Sequence, residues 1–187
     1  MARNTQLTPL GICALGLLVE RPMHPYEMYQ VLMHRHEDRV VKVRPGTLYH
    51  TVGRLAASKL VEPVGTERDG NRPERTTYAI LPLGKVALEN RIKDLLSTPF
   101  NEYPSFPQAL GEAHNLPAGV VVELLEQRQE ALRASLAELD EGVAKADAKG
   151  VEPRFLIDIA YQQTLLKADI QWLDGLCADI GSGAIAW

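Results

Sequence analysis

A mainly α-helical chain with one small β-hairpin is what this sequence predicts, on three observations. Proline stands at Pro9, Pro25, Pro45 and Pro82, each at the head of an apolar-periodic stretch, where its fixed φ and missing N–H suit the first turn of a helix. Between the third and fourth of these, the helical period gives way to short β-branched and aromatic runs around an Asp-Gly pair. Beyond residue 117, two long stretches keep a helical period almost without interruption.

The first helix starts with Thr8 as N-cap and Pro9 at the first helical position, and Arg21-Pro22 stops it after Glu20. It is apolar on most sides and is therefore expected to be buried. His24-Pro25 opens a second helix, to about residue 36, with Met28, Val31 and Leu32 on one face. Arg44-Pro45 opens a third, running to Lys59, in which Leu48, Val52 and Leu55 make an inward stripe at i, i+4, i+7 spacing. Residues 60–66 and 76–81 are the two strands, joined through Arg68-Asp69-Gly70-Asn71-Arg72-Pro73. Pro82 starts a fourth helix to about residue 96. Residues 98–116 form an aromatic and proline-rich connector, with Pro99, Pro104 and Pro107 beside Phe100, Tyr103 and Phe106; its aromatics argue that it packs on something. Residues 117–149 make one helix of roughly 50 Å. After Pro153 the last helix carries Ile159, Gln163, Leu166, Ile170, Leu173, Cys177 and Ile180 in an unbroken 4-3 alternation, with Gly181 as its end. Trp187 closes a small-residue tail expected to be unstructured.

Composition bounds the function. In 187 residues, 45% hydrophobic and 24% charged content supports a folded core and excludes a disordered or fibrous chain. Residues 1–97 hold 14 Lys and Arg against 10 Asp and Glu, and residues 98–187 hold 6 against 14. A basic half joined to an acidic half suits a polyanion-binding module fused to a self-associating one. Cys13 and Cys177 lie far apart in apolar runs, outside any Cys-x-x-Cys pattern, which favours a reducing, cytoplasmic setting over a disulfide framework. The longest apolar run, residues 10–19, is too short to span a bilayer, and no small-residue cleavage site follows it. His34 and His36 would point roughly 200° apart on a helix, poor geometry for joint metal ligation. No phosphate-binding glycine loop, His-Glu-x-x-His or nucleophile-elbow pattern is present, so neither an enzyme nor a cofactor is expected.

Three helices followed by a basic hairpin make a winged helix-turn-helix plan, which would occupy residues 1–97. With Leu48, Val52 and Leu55 inward, the third helix turns Thr47, His50, Thr51 and Arg54 outward, with Tyr49 at the flank. Hydroxyl, imidazole and guanidinium groups reach base edges and phosphates. Lys42, Arg44, Arg68, Arg72 and Arg75 are candidates for phosphate or wing contacts. Double-stranded DNA is the expected partner.

His24-Pro25-Tyr26-Glu27-Met28, Pro45-Gly46-Thr47-Leu48-Tyr49 with Arg54-Leu55, and Gly70-Asn71-Arg72-Pro73-Glu74-Arg75-Thr76-Thr77-Tyr78 with Gly84 resemble the PadR family of bacterial transcription regulators. The resemblance is close over residues 7–96 and loose beyond. It implies a winged-helix DNA-binding domain, a C-terminal helical domain (here residues 117–187) that forms a homodimer, and repression relieved by an effector. It also implies DNA contacts from Tyr26, Tyr49, Arg72 and Arg75. Some members bind flat aromatic or cationic molecules between tryptophans at the dimer interface, which makes Trp172 the candidate effector contact. The chain departs from the family's pattern at four helix ends or flanks: Arg44 replaces a capping Ser, Ala56 a Glu, Lys59 a helix-ending Gly, and Leu81 a capping Thr.

The expected function is thus a homodimeric regulator, a ligand-responsive repressor, on an inverted-repeat operator. The heptad seam of the last helix reads as the association surface, or as the inner face of an intramolecular hairpin, or both. Gln163 within it would fix register at a cost in stability. The alternative is a helical adaptor or ligand-sensing module that does not bind DNA.

Overall fold

The structure is a computed structural model that describes residues 7–67 and 75–187. Its elements are helices α1 (Pro9–Glu20), α2 (Pro25–His34) and α3 (Pro45–Ala57), strands β1 (Val61–Glu67) and β2 (Arg75–Ile80), and helices α4 (Pro82–Ser97), α5 (Ser105–Gly111), α6 (Ala118–Ala148) and α7 (Ile157–Ser182). They divide into two compact units, Met1–Asn101 and Glu102–Trp187. Residues 68–74 between the strands, Arg68 and Arg72 among them, lie outside the described residues.

In the first unit, four helices open on proline. Thr8 caps α1, its Oγ1 accepting the Gly11 N–H at 3.2 Å. Ala14, Leu15, Leu17 and Leu18 of α1 are buried together with Met28 and Leu32 of α2 and Leu48, Val52 and Leu55 of α3. The two strands pair antiparallel, with an irregularity between Pro63 and Gly65 where Pro63 has no N–H to give the ladder. Met23 adds a one-residue bridge to the free edge of β2: its N–H donates to Tyr78 O at 3.1 Å and the Tyr78 N–H donates back at 3.0 Å. This is the helix-helix-helix-hairpin-helix order of a winged helix.

Several ends differ from the sequence reading. The second helix stops at His34, because His36 takes a left-handed φ of 58° and opens a 3-10 turn, Glu37–Arg39. The third ends at Ala57, with Lys59 left-handed at φ 56° where a glycine was the expected stop. The second strand ends at Ile80, because Leu81, whose N–H still donates to Leu60 O, serves as the N-cap position of α4.

The second unit is built on an α6–α7 hairpin. Val121, Leu125, Leu173 and Ile180 are buried in one cluster, joined by Phe106 and Leu110 of α5, which places a short helix where the sequence showed only an irregular connector. The heptad seam of α7 is therefore occupied within the chain. Gln163 donates to Asp140 at 2.7 Å across the hairpin. Gln129, almost fully buried, donates to Ile170 O and to Asp174, which also receives Arg133 at 2.8 Å. These pairs set register. Gly181 is helical, and the left-handed stop comes two residues later at Gly183, φ 77°. Trp187 is held too: its indole N–H donates to Leu116 O at 2.6 Å.

Cys13 is a packing residue; burial pushes its thiol up to about 11, so it stays protonated and unreactive near neutrality. Arg35 grips both oxygens of Glu20 (2.5 and 2.8 Å), and that hydrogen bonding holds the Glu20 carboxyl below its ordinary value. A depressed carboxyl adds stability above the ordinary carboxylate range and loses it as the pH falls through the lowered value. Because both partners are about half exposed, the gain is under about 0.5 kcal/mol. Glu20→Gln is expected to lower the melting temperature slightly at pH 7, and by progressively less as the pH falls through the lowered carboxyl value.

Gly84 tests the packing more severely. A Cβ there would stand 2.2 Å from Leu60 O and 2.9 Å from Ile80 Cγ1, so backbone must move to admit it. Gly84→Ala is expected to cost about 3 kcal/mol or more. Gly142→Ala, in open space on α6, should instead stabilise by about 0.5–1 kcal/mol. Thermal melts of the two variants check both signs.

Candidate nucleic-acid interface

Residues 39–61 contain Arg39, Lys42, Arg44, Arg54 and Lys59 and no Asp or Glu. The segment's own formal charge is thus wholly positive from the approach to α3 to its far end. Within α3, the inner stripe decides which side chains can leave the domain. Leu48 and Val52 are fully buried and Leu55 nearly so, whereas Thr47, Tyr49, His50 and Arg54 are exposed. Helical geometry requires this division, since residues three and four apart share a face.

Thr51 falls on the wrong side of it. The sequence reading turned Thr51 outward, but its side chain is buried and its hydroxyl donates to Thr47 O at 2.8 Å. One turn from Leu48 and Leu55, it shares their face and satisfies its hydroxyl within the helix.

The start of α3 has a character of its own. Arg44 occupies the N-cap position in extended backbone and makes no side-chain capping bond. The first-turn N–H groups are left for solvent or an external anion at the positive end of the helix dipole. Exposed Lys42 and Arg44 flank that end.

A second group of predicted contacts comes together from separate parts of the sequence. Tyr26, in the first turn of α2, is 41% exposed, and the Arg75 guanidinium of β2 lies 5.9 Å from its ring centroid. The imidazole of His24 stacks nearly parallel on Tyr26, with centroids 6.5 Å apart. His24 is also the N-cap of α2, its Nδ1 accepting the Glu27 N–H at 3.0 Å. The sequence assigned His24 no role; the signal was there in its place directly before a helix-opening proline. Arg68 and Arg72 cannot be placed, since they lie outside the described residues.

In the second unit, Trp172 is about half exposed and lines an open groove of ≈ 590 Å³ with Gln171, Gly175, Leu176, Asp179 and Ile185. Ile157, Tyr161 and Leu165 are exposed on the same helix, so α7 carries an outer apolar face besides the inner one packed on α6. Among the described residues, no three His, Cys, Asp or Glu stand together so as to hold a metal ion. Among them, too, no helix is long and apolar enough to cross a membrane.

Comparison with known proteins accords with this geometry. Residues 14–90 match the Transcriptional regulator PadR-like family. Bacillus subtilis PadR bound to operator DNA superposes with a TM-score of 0.76 at 18% identity, covering 90% of this chain and 96% of that one. The same protein bound to p-coumaric acid gives 0.74 at 17%, covering 91% and 97%. The smu.1604c protein of Streptococcus mutans gives 0.66 at 20%, covering 89% and 97%. At these identities the likeness is one of fold. No curated protein matches the chain.

The division of α3 into two faces sets an expectation. Thr51→Val should leave affinity for duplex DNA within about twofold, while His50→Ala or Arg54→Ala should lower it about tenfold, in line with 1–3 kcal/mol for a base contact. Fluorescence anisotropy on one labelled duplex compares the three.

Proposed function

We propose that this chain, whose residues 14–90 match the Transcriptional regulator PadR-like family, acts in the cytoplasm as a DNA-binding, non-enzymatic, homodimeric and ligand-responsive repressor on an inverted-repeat operator. The observation that carries the reading is α3, acid-free and seated on its leucine stripe with Thr47, Tyr49, His50 and Arg54 outward. These four enter the major groove. Lys42, Arg44 and the uncapped N-terminus of α3 hold the backbone on one side. Tyr26 and Arg75, with Arg68 and Arg72 of the wing, hold it on the other. Residues 1–97 serve as the DNA-binding domain, 98–116 as the connector and 117–187 as the association domain.

The dimer forms through the outer face of α7, where Ile157, Tyr161 and Leu165 are exposed; burying them in a two-fold contact removes that surface from water. Two-fold symmetry then presents two recognition helices to successive major grooves, and the operator repeats the symmetry. Trp172, on the same helix and in its groove, is the contact for a flat aromatic effector. An effector releases DNA by changing the spacing of the two recognition helices, because groove separation is fixed.

Selection of bound duplexes from a random pool, followed by native mass spectrometry, tests this reading. An inverted repeat carrying two copies of the chain is expected, with affinity falling steeply from 50 to 200 mM salt. Lys42→Ala combined with Arg75→Ala should flatten the log–log salt slope by about 0.9 for every phosphate contact removed. Leu165→Asp should shift the chain to monomer and weaken binding. No salt-sensitive binding to any duplex would instead favour an adaptor without DNA contact.

A further inference from the structure

We infer that His24 is a positioning residue for the interface, holding Tyr26 and Arg75 as a pre-set pair; the inference rests on the reading above that these two touch DNA. Three observations meet at this residue. Its Nδ1 accepts the Glu27 N–H at 3.0 Å and so closes the first turn of α2, the turn that carries Tyr26. That acceptor role places the ring proton on Nε2. Its ring stacks on the Tyr26 ring at an interplanar angle of 14°, while Arg75 approaches the same ring. Its neighbour Met23 is bonded in both directions to Tyr78 on β2, the strand that bears Arg75.

The arrangement does what neither element does alone. A tyrosine in the first turn of a short helix is placed only as well as that turn is closed, and helix ends fray when their N–H groups lack partners. Ser, Thr, Asp or Asn supply the usual caps. Here an imidazole supplies the acceptor, with its ring beside and nearly parallel to that of Tyr26, while the Met23 bridge ties the start of α2 to the wing strand. The pair therefore meets DNA already ordered, and less freedom is lost on binding.

A double-mutant cycle on the selected duplex tests the inference. His24→Ala is expected to weaken binding about fivefold, the scale of one lost cap. His24→Asn, which restores an acceptor, should return affinity to within about twofold of the parent, and His24→Phe, which keeps a ring but no acceptor, should bind as weakly as His24→Ala. In a Tyr26→Ala background, His24→Ala should have almost no further effect, which a loss of general stability would not produce. If His24→Ala does not fold, the Asn and Phe variants make the same comparison. An equal loss from His24→Ala with and without Tyr26, or parental binding by His24→Phe, overturns this inference alone. A Tyr26→Ala variant that binds like the parent overturns the contact itself and this inference with it.

Discussion

The burial of one stripe on α3, Leu48, Val52 and Leu55 against α1 and α2, fixes the rotation of that helix, and most of the functional geometry follows from it. A helix with a single apolar stripe has one way to lie on a core. Once those side chains are inside, the remaining faces are assigned without further choice. His50 and Arg54 go out, and Thr51 goes in. The tight passage between Gly84 and Leu60 O fixes α4 against the start of the hairpin, and the Met23–Tyr78 bridge fixes α2 against its other edge. The side chains proposed to face DNA are thus carried on elements whose relative places are set by packing within the first unit, with small tolerance for movement.

Much of this was legible in the residues. Proline at the first turn of four helices, the i, i+4, i+7 leucines and the switch of period at the hairpin locate the winged-helix elements to within a few residues. What was not legible has physical causes. Thr51 is polar, so a sequence reading sends it to solvent, but a threonine can satisfy its hydroxyl on the preceding turn and share an apolar face. His36 adopts left-handed backbone that glycine usually marks, and no pattern announces it; Lys59 does the same at the place where the family pattern has its helix-ending glycine. Gly181 looked like a stop, yet a glycine ends a helix only when its backbone turns left-handed, which happens at Gly183. The short α5 hid behind the prolines around it.

The second unit shows where periodicity alone falls short. The 4-3 alternation of α7 is real, but it describes the face turned to α6, where Leu173 is buried and Gln163 meets Asp140. The outer face, with Ile157, Tyr161, Leu165 and Trp172, follows a looser pattern and is visible only once the first face has been spent. Buried Gln129 was equally hidden: its partners lie more than forty residues away along the chain. Acidic residues dominate this unit, and basic ones surround α3, so the charge division of the sequence runs parallel to the proposed division of labour between association and polyanion contact.

The central claim is that the exposed side of α3 enters the major groove. A DNA-cleaving iron chelate tethered through a cysteine introduced at His50, with Cys177 replaced by Ser, tests it most directly, since Cys13 is protonated and packed. Cleavage confined to two short windows, one in each half of an inverted repeat and each centred on the major groove, is the predicted result. Cleavage spread evenly along the duplex, or none while the protein remains bound, would contradict it.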